Sequence, residues 1–139
     1  MSAEVFLDTN IFVYCFDSQS PEKQAAAKKI VCGMDWFVSW QVVQEFSSVA
    51  LHRFKVPIKP DDLAEYVEFQ IWPGCRVLPS EAIFRQAVEI HERFGFRYYD
   101  SLIVASALAG GAKTLLSEDM QDCQVIGSLE IRNPFKNLS

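Results

Sequence analysis

Zinc and disulfide chemistry find little support in this chain. Its four cysteines, Cys15, Cys32, Cys75 and Cys123, are far apart, form no C-x-x-C pair and have no histidine at zinc-ligand spacing. They read as buried or unpaired thiols of a reducing compartment. Only two histidines are present, and no Ser-His-Asp or Cys-His arrangement emerges. No apolar run approaches membrane-spanning length. The stretch Met1-Ser2-Ala3-Glu4-Val5-Phe6-Leu7 lacks the basic start and longer apolar core of a signal peptide. A soluble, cytoplasmic protein with no membrane partner is expected. Positive charge is also in deficit, with 13 Lys and Arg against 18 Asp and Glu and a net charge of −5. That balance excludes gripping a polyanion through overall positive potential. Linkers, internal repeats and low-complexity segments are missing too, so residues 1–139 are expected to form one domain.

What the chain has is hydrocarbon. Half of it is hydrophobic, with eleven Phe, four Tyr and three Trp. A sequence of this length can bury roughly 70% of its unfolded surface around an aromatic-rich core. Short apolar strands alternate with helices. Strands are predicted at Val5-Phe6-Leu7, Trp36 to Ser39, Arg76-Val77-Leu78 and Lys113 to Ser117. A fifth runs from Val125 to Arg132, bent at Gly127. Helices are predicted from Ile11 to Phe16, from Ser20-Pro21-Glu22 to Gly33, and from Gln41 to Phe54. Others run from Pro60-Asp61-Asp62 to Pro73-Gly74, from Pro79-Ser80-Glu81 to Gly95, and from Asp100 to Ala109. Alternation of this kind predicts an α/β three-layer sandwich, with a central, mainly parallel sheet of about five strands flanked by helices.

Four acids occupy unusual places in that scheme. Asp8 follows the first strand and Asp119 lies just past the fourth, so both should face the edge where open parallel sheets bind ligands. At about 100° per residue, Glu45 borders the apolar arc of Val42, Val43, Phe46, Val49 and Ala50. Asp100 lies in line with Ile103, Val104, Ala107 and Leu108, at the head of a buried stripe. Taken singly, each has an ordinary reading: an N-cap for Asp8 or Asp100, a solvated rim residue for Glu45, a turn acid for Asp119. As a set they suit a hard divalent cation, because clustered carboxylates repel one another until positive charge arrives.

The segments Leu7-Asp8-Thr9-Asn10-Ile11, Gln44-Glu45-Phe46, Tyr99-Asp100-Ser101-Leu102-Ile103-Val104-Ala105 and Leu116-Ser117-Glu118-Asp119-Met120 resemble, in order and separation, the four signature blocks of PIN-domain nucleases. The resemblance covers essentially the whole chain and is nearest in flavour to VapC-type toxins of toxin–antitoxin pairs. It implies that Asp8, Glu45, Asp100 and Asp119 are acidic metal ligands for Mg²⁺ or Mn²⁺, with Asp8 and Asp100 making direct contacts. Thr9, Asn10 and Ser117 match supporting polar positions. Asp122 resembles an extra acid of some members, although Cys123 stands where related sequences commonly have Gly. The ending Ile131-Arg132-Asn133-Pro134-Phe135 also resembles the family's final strand and tail.

The implied chemistry is endonucleolytic hydrolysis of RNA by activated water, leaving a 5′-phosphate and a 3′-hydroxyl. Implied partners are the RNA, a cognate antitoxin that fills an apolar groove and obstructs the acidic pocket, and a second copy in a homodimer. RNA contact must come from local positive charge, for which Arg53, Lys55 and Arg97 are the candidates, although each also reads as solvated surface. His52 and His91 read as surface residues, and Trp36, Trp40 and Trp72 as core or interface. A catalytically silent protein-binding module on the same fold is the competing reading, and missing acids would favour it. A phosphate-accepting receiver domain fits less well, because the adjacent acidic pair after the first strand is absent.

Overall fold

The computed structural model describes residues 3–139. Met1 and Ser2, the start of the stretch read for a signal peptide, lie outside the described residues. The elements are β1 (Val5–Leu7), α1 (Thr9–Tyr14), α2 (Pro21–Gly33), β2 (Trp36–Ser39), α3 (Trp40–His52), α4 (Pro60–Tyr66), β3 (Cys75–Val77), α5 (Glu81–Phe94), α6 (Tyr98–Ala109), β4 (Thr114–Leu116), β5 (Val125–Ile126) and β6 (Leu129–Arg132). They build an α/β sandwich around one sheet in the order β3-β2-β1-β4-β6-β5. Every neighbouring pair is parallel except β5 with β6. No helix among the described residues is long and apolar enough to cross a membrane.

Strand order explains where a site can form. The chain moves outward from β1 to β2 and β3, then returns across the sheet to place β4 on the other side of β1. Right-handed crossovers in opposite directions put their helices on opposite faces. The loops after β1 and β4 therefore part, and a crevice opens at the carboxyl ends of these strands. Register fixes that edge, since Leu7 of β1 pairs with Leu116 of β4, and the Asp8 N–H continues the ladder to the Leu116 carbonyl at 3.0 Å.

The core is as aromatic as expected. Phe6, Phe12, Phe37, Phe46 and Phe135 are fully buried with Leu115 and Ile131. Phe12, Phe16, Phe46, Phe54 and Tyr66 interlock through edge-to-face and tilted contacts with centroids 5.1–6.3 Å apart, the arrangement aromatic quadrupoles favour. Burial surrounds α6, where Ser101 and Ala105 are inside along with Ile103, Val104 and Ala107. Its small residues let neighbouring elements approach on several sides.

Local structure departs from expectation in four places. The predicted fifth strand is a hairpin, because Gly127 takes φ 59 and turns the chain within two residues, so the sheet has six strands. Helix α4 runs on through a π-helical turn at Val67–Ile71 and a 3₁₀ turn at Trp72–Gly74 before stopping where Pro73 and Gly74 were expected to stop it. Ser20 precedes Pro21 at the head of α2, yet its hydroxyl makes no capping bond. Helix α6 begins at Tyr98, two residues before the expected start, which places Asp100 inside the first turn and not at the cap. By contrast, Ser80 Oγ accepts from Ile83 N–H, and Gly95 ends α5 at φ 76.

One close approach is testable. A Cβ on Gly110, which ends α6, would stand 2.2 Å from the Phe37 ring and 2.9 Å from Val77 Cγ2. Gly33 at the end of α2 has nothing within 4 Å. Gly110→Ala is expected to destabilise the fold by ~1–3 kcal/mol through forced movement of a buried ring. Gly33→Ala should be neutral or slightly stabilising. Thermal melts followed by circular dichroism compare the two.

Candidate functional site

Asp8 is both a helix cap and the deepest acid of the site. It sits between β1 and α1, where its Oδ1 accepts from Thr9 N–H at 2.7 Å. Its Oδ2 accepts from Ser117 Oγ at 2.7 Å, across the gap from the end of β4. Only 4% of Asp8 is exposed. Burial pushes its carboxyl from the usual 3.8 up to about 7, with Glu45 and Asp119 adding repulsion that the two hydrogen bonds do not cancel.

The other acids arrive from three separate elements. Glu45, on α3, is half-buried and accepts from Thr9 Oγ1 at 2.9 Å. Burial raises its pKa, Asp100 and Asp119 raise it further, and bonds from Thr9 and Gln41 oppose the rise. Asp100, in the first turn of α6, is raised by burial and by Asp119, against the pull of Arg97, whose Nε lies 3.6 Å away. Asp119 follows β4 and is exposed, with its Oδ2 accepting from Asn10 Nδ2 at 3.1 Å. All four line one cavity of about 780 Å³.

Thr9, Asn10 and Ser117 each bond to a different acid. Thr9 takes Glu45, Asn10 takes Asp119, and Ser117 donates to Asp8 while accepting from Asp119 N–H at 3.2 Å. Asn10 Oδ1 is buried without a partner. Asp122 is not brought to this cavity. Its Oδ1 accepts from Asn133 N–H at 2.8 Å and its Oδ2 faces Lys136 at 3.5 Å, contacts that hold its carboxyl below the usual range. Cys123 beside it takes φ 68, the left-handed region that Gly occupies without cost. Arg53 and Arg97 line the acidic cavity, whereas Lys55 lies in an adjoining hollow of about 590 Å³ that shares Arg53.

Further residues line the cavity that the sequence reading did not assign to it. Asp17, Tyr14 and Glu118 are among them. Tyr14 falls four residues after Asn10, one helical turn along the same face, and Glu118 sits beside Asp119 at a strand end. Spacing in α1 and a second acid in the fourth block were the available signals.

Among the described residues, no group of three or more His, Cys, Asp or Glu is arranged to hold a metal ion. Glu45 and Asp119 are each hydrogen-bonded to a separate partner, Thr9 and Asn10, and Asp100 is ion-paired with Arg97. The donor set still fits a hard cation. Mg²⁺ takes oxygen ligands, keeps several waters and needs only one or two carboxylates directly, and the raised acids here are the groups such charge would relieve.

Asp8 makes stability depend on pH. Its folded-state pKa lies above its unfolded value, so the stabilisation is full below about 4 and is lost as pH rises through about 7. Glu45 and Asp100 shift in the same direction. Without divalent metal, thermal stability should fall between these values, with Asp8 contributing up to ~4 kcal/mol. Melts of Asp8→Asn across that range should show a flatter profile.

The chain is similar in fold to several solved proteins. A toxin-antitoxin complex from Klebsiella pneumoniae contains a chain with a TM-score of 0.70 at 16% identity, covering 94% of this chain and 98% of that one. FitAcB from Neisseria gonorrhoeae gives 0.64 at 23% identity, over 94% and 97% of the two chains. VapC20 of Mycobacterium tuberculosis, a Sarcin-Ricin loop cleaving toxin, gives 0.64 at 15% identity, over 83% and 91%. No curated protein matches the sequence. The family model of the PIN domain matches residues 5–124, which include Asp8, Glu45, Asp100 and Asp119, and this chain therefore belongs to the PIN domain family.

Proposed function

We propose that this single-domain protein is a divalent-metal-dependent endoribonuclease and the toxin of a toxin–antitoxin pair. Asp8, Glu45, Asp100 and Asp119 hold Mg²⁺ or Mn²⁺. The observation that carries the reading is the convergence of these four acids, from four separate segments, on one cavity. The related folds of a toxin-antitoxin complex and of a toxin that cleaves the Sarcin-Ricin loop support it.

When bound, such an ion supplies Lewis acidity toward a phosphate oxygen and toward water. The chain's own groups do the rest. Asp8, fixed by Thr9 N–H and Ser117 Oγ, anchors the donor set, and Asp100 would be the second acid to hold the ion directly. Thr9 and Asn10 orient Glu45 and Asp119 around them. Arg53 and Arg97 at the cavity wall, and Lys55 beside it, pair with phosphates flanking the scissile one. Water adds to phosphorus and the bond to the 3′-oxygen breaks, leaving a 5′-phosphate and a 3′-hydroxyl.

The hollow that holds Lys55 runs into the acidic cavity through shared Val13, Asp17, Val49 and Arg53. Phe16, Phe54 and Ile58 give it an apolar wall. An antitoxin segment lying there would reach the carboxylates and block them. Leu78, Phe84 and Val88 are exposed and suit the face where a second copy packs.

Purified protein should cut RNA with Mg²⁺ or Mn²⁺ and stop when the metal is chelated. Asp8→Asn and Asp100→Asn should each lower kcat by roughly 100-fold or more. Mn²⁺ at a hundredfold excess over Kd should stabilise the unmodified chain above pH 7 by ~3 kcal/mol, read as a higher melting temperature, and should leave Asp8→Asn unmoved. Wild-type protein that cuts no RNA with either metal, together with Asp8→Asn arresting growth as wild type does, would refute the reading.

A further inference from the structure

Glu118 lines the acidic cavity beside Asp119, yet both of its carboxylate oxygens are already engaged. Tyr14 OH donates to Oε1, and Lys23 Nζ donates to Oε2 at 2.7 Å. Lys23 also lies 3.4 Å from the Tyr14 hydroxyl and stands over its ring, 5.1 Å from the centroid. The Tyr14 ring packs edge-on against buried Phe135, centroids 4.8 Å apart. Lys23 and Glu118 are each about three-quarters covered, at 22% and 24% side-chain exposure, unlike the Arg85–Glu81 pair at 75% and 78%. A covered pair braced by an aromatic ring holds its geometry better than a surface pair, which is worth little.

The contacts join three elements at one turn. Tyr14 ends α1, Lys23 lies in the first turns of α2, and Glu118 follows β4. Ser117 and Asp119, the neighbours of Glu118, have other partners. Ser117 Oγ bonds Asp8, and Asp119 meets Asn10. We infer that Lys23, Tyr14 and Glu118 form a positioning lock, in which Glu118 anchors the turn after β4 so that Asp119 is presented to the cation, and Glu118 itself is no ligand. The inference rests on the metal-site reading above and adds to it a division of labour between two adjacent acids. A cation-binding carboxylate whose supporting shell is lost costs metal affinity even when every ligand remains.

The test uses the full chain and Mn²⁺ as probe. Calorimetry measures Mn²⁺ affinity, and amide hydrogen exchange measures the order of residues 117–120, for wild type, Lys23→Met, Lys23→Arg, Tyr14→Phe, Glu118→Gln and Asp119→Asn. Lys23→Met should weaken Mn²⁺ binding by ~10–100-fold and speed exchange in 117–120, while exchange in α3 and α5 stays unchanged. Lys23→Arg, which can still reach Glu118, should restore both. If Lys23→Met does not fold, Tyr14→Phe, which removes one hydroxyl, makes the same comparison. Three results overturn the lock: Lys23→Met binding Mn²⁺ as wild type does, faster exchange with unchanged affinity, or Glu118→Gln abolishing binding while Lys23→Met preserves it. Wild-type protein that binds no Mn²⁺ strikes the metal reading instead. Exchange in 117–120 then decides the lock alone, and unchanged exchange in Lys23→Met overturns it.

Discussion

Loss of hydration by carboxylates gathered at the ends of two parallel strands is the constraint around which this structure is arranged. Asp8 is buried at the junction of β1 and α1, and its carboxyl rises to about 7 because burial strips it of water, with Glu45 and Asp119 adding a smaller repulsion. Capping α1 returns about 1 kcal/mol, less than it costs to bury an acid that has no counter-charge. The rest of the protein limits that cost. Thr9 N–H and Ser117 Oγ each donate to Asp8, Thr9 and Asn10 each take one neighbouring acid, and Arg97 faces Asp100.

The sheet makes this concentration of charge possible. Because β1 lies between β2 and β4, the connection after β1 runs toward β2 and the one after β4 toward β6 and β5, and the loops beyond Leu7 and Leu116 separate. Into that gap α3 and α6 bring one acid each on the border of their apolar faces. The aromatic cluster of Phe12, Phe16, Phe46, Phe54 and Tyr66 seats α1 and α3 against each other, which fixes Thr9 within reach of Glu45. Packing far from the cavity therefore sets distances inside it.

Positive charge is handled locally. With a net charge of −5, the molecule has no broad attractive field for a polyanion. Arg53 and Arg97 instead stand at the cavity wall, and a Debye length of about 8–10 Å confines their influence to groups close by. Lys23 is placed differently: its ammonium is paired with Glu118 and lies 3.4 Å from the Tyr14 hydroxyl.

Much of this was legible in the sequence, because the signals were local. Strand and helix alternation follows from apolar runs and from Pro and Gly at the ends of elements, and Ser80 and Gly95 bound α5 through backbone chemistry that needs no distant partner. The four acids stood out because strand ends and helix faces have fixed directions. What the sequence could not decide was everything set by contact across the fold. The hairpin at Gly127 depends on β6 pairing with β4, and the earlier start of α6 is a matter of how its buried faces pack. Asp122 was a candidate by position alone, and tertiary structure turned it to Asn133 and Lys136, beside a Cys123 held at positive φ. Glu118 was the converse: adjacent to Asp119 and equally acidic, it has its carboxylate held by Lys23 and Tyr14, residues 95 and 104 positions away in the chain. Residue type and spacing thus determined which groups could form a site, and long-range packing, which alone sets side-chain direction, decided which of them share it.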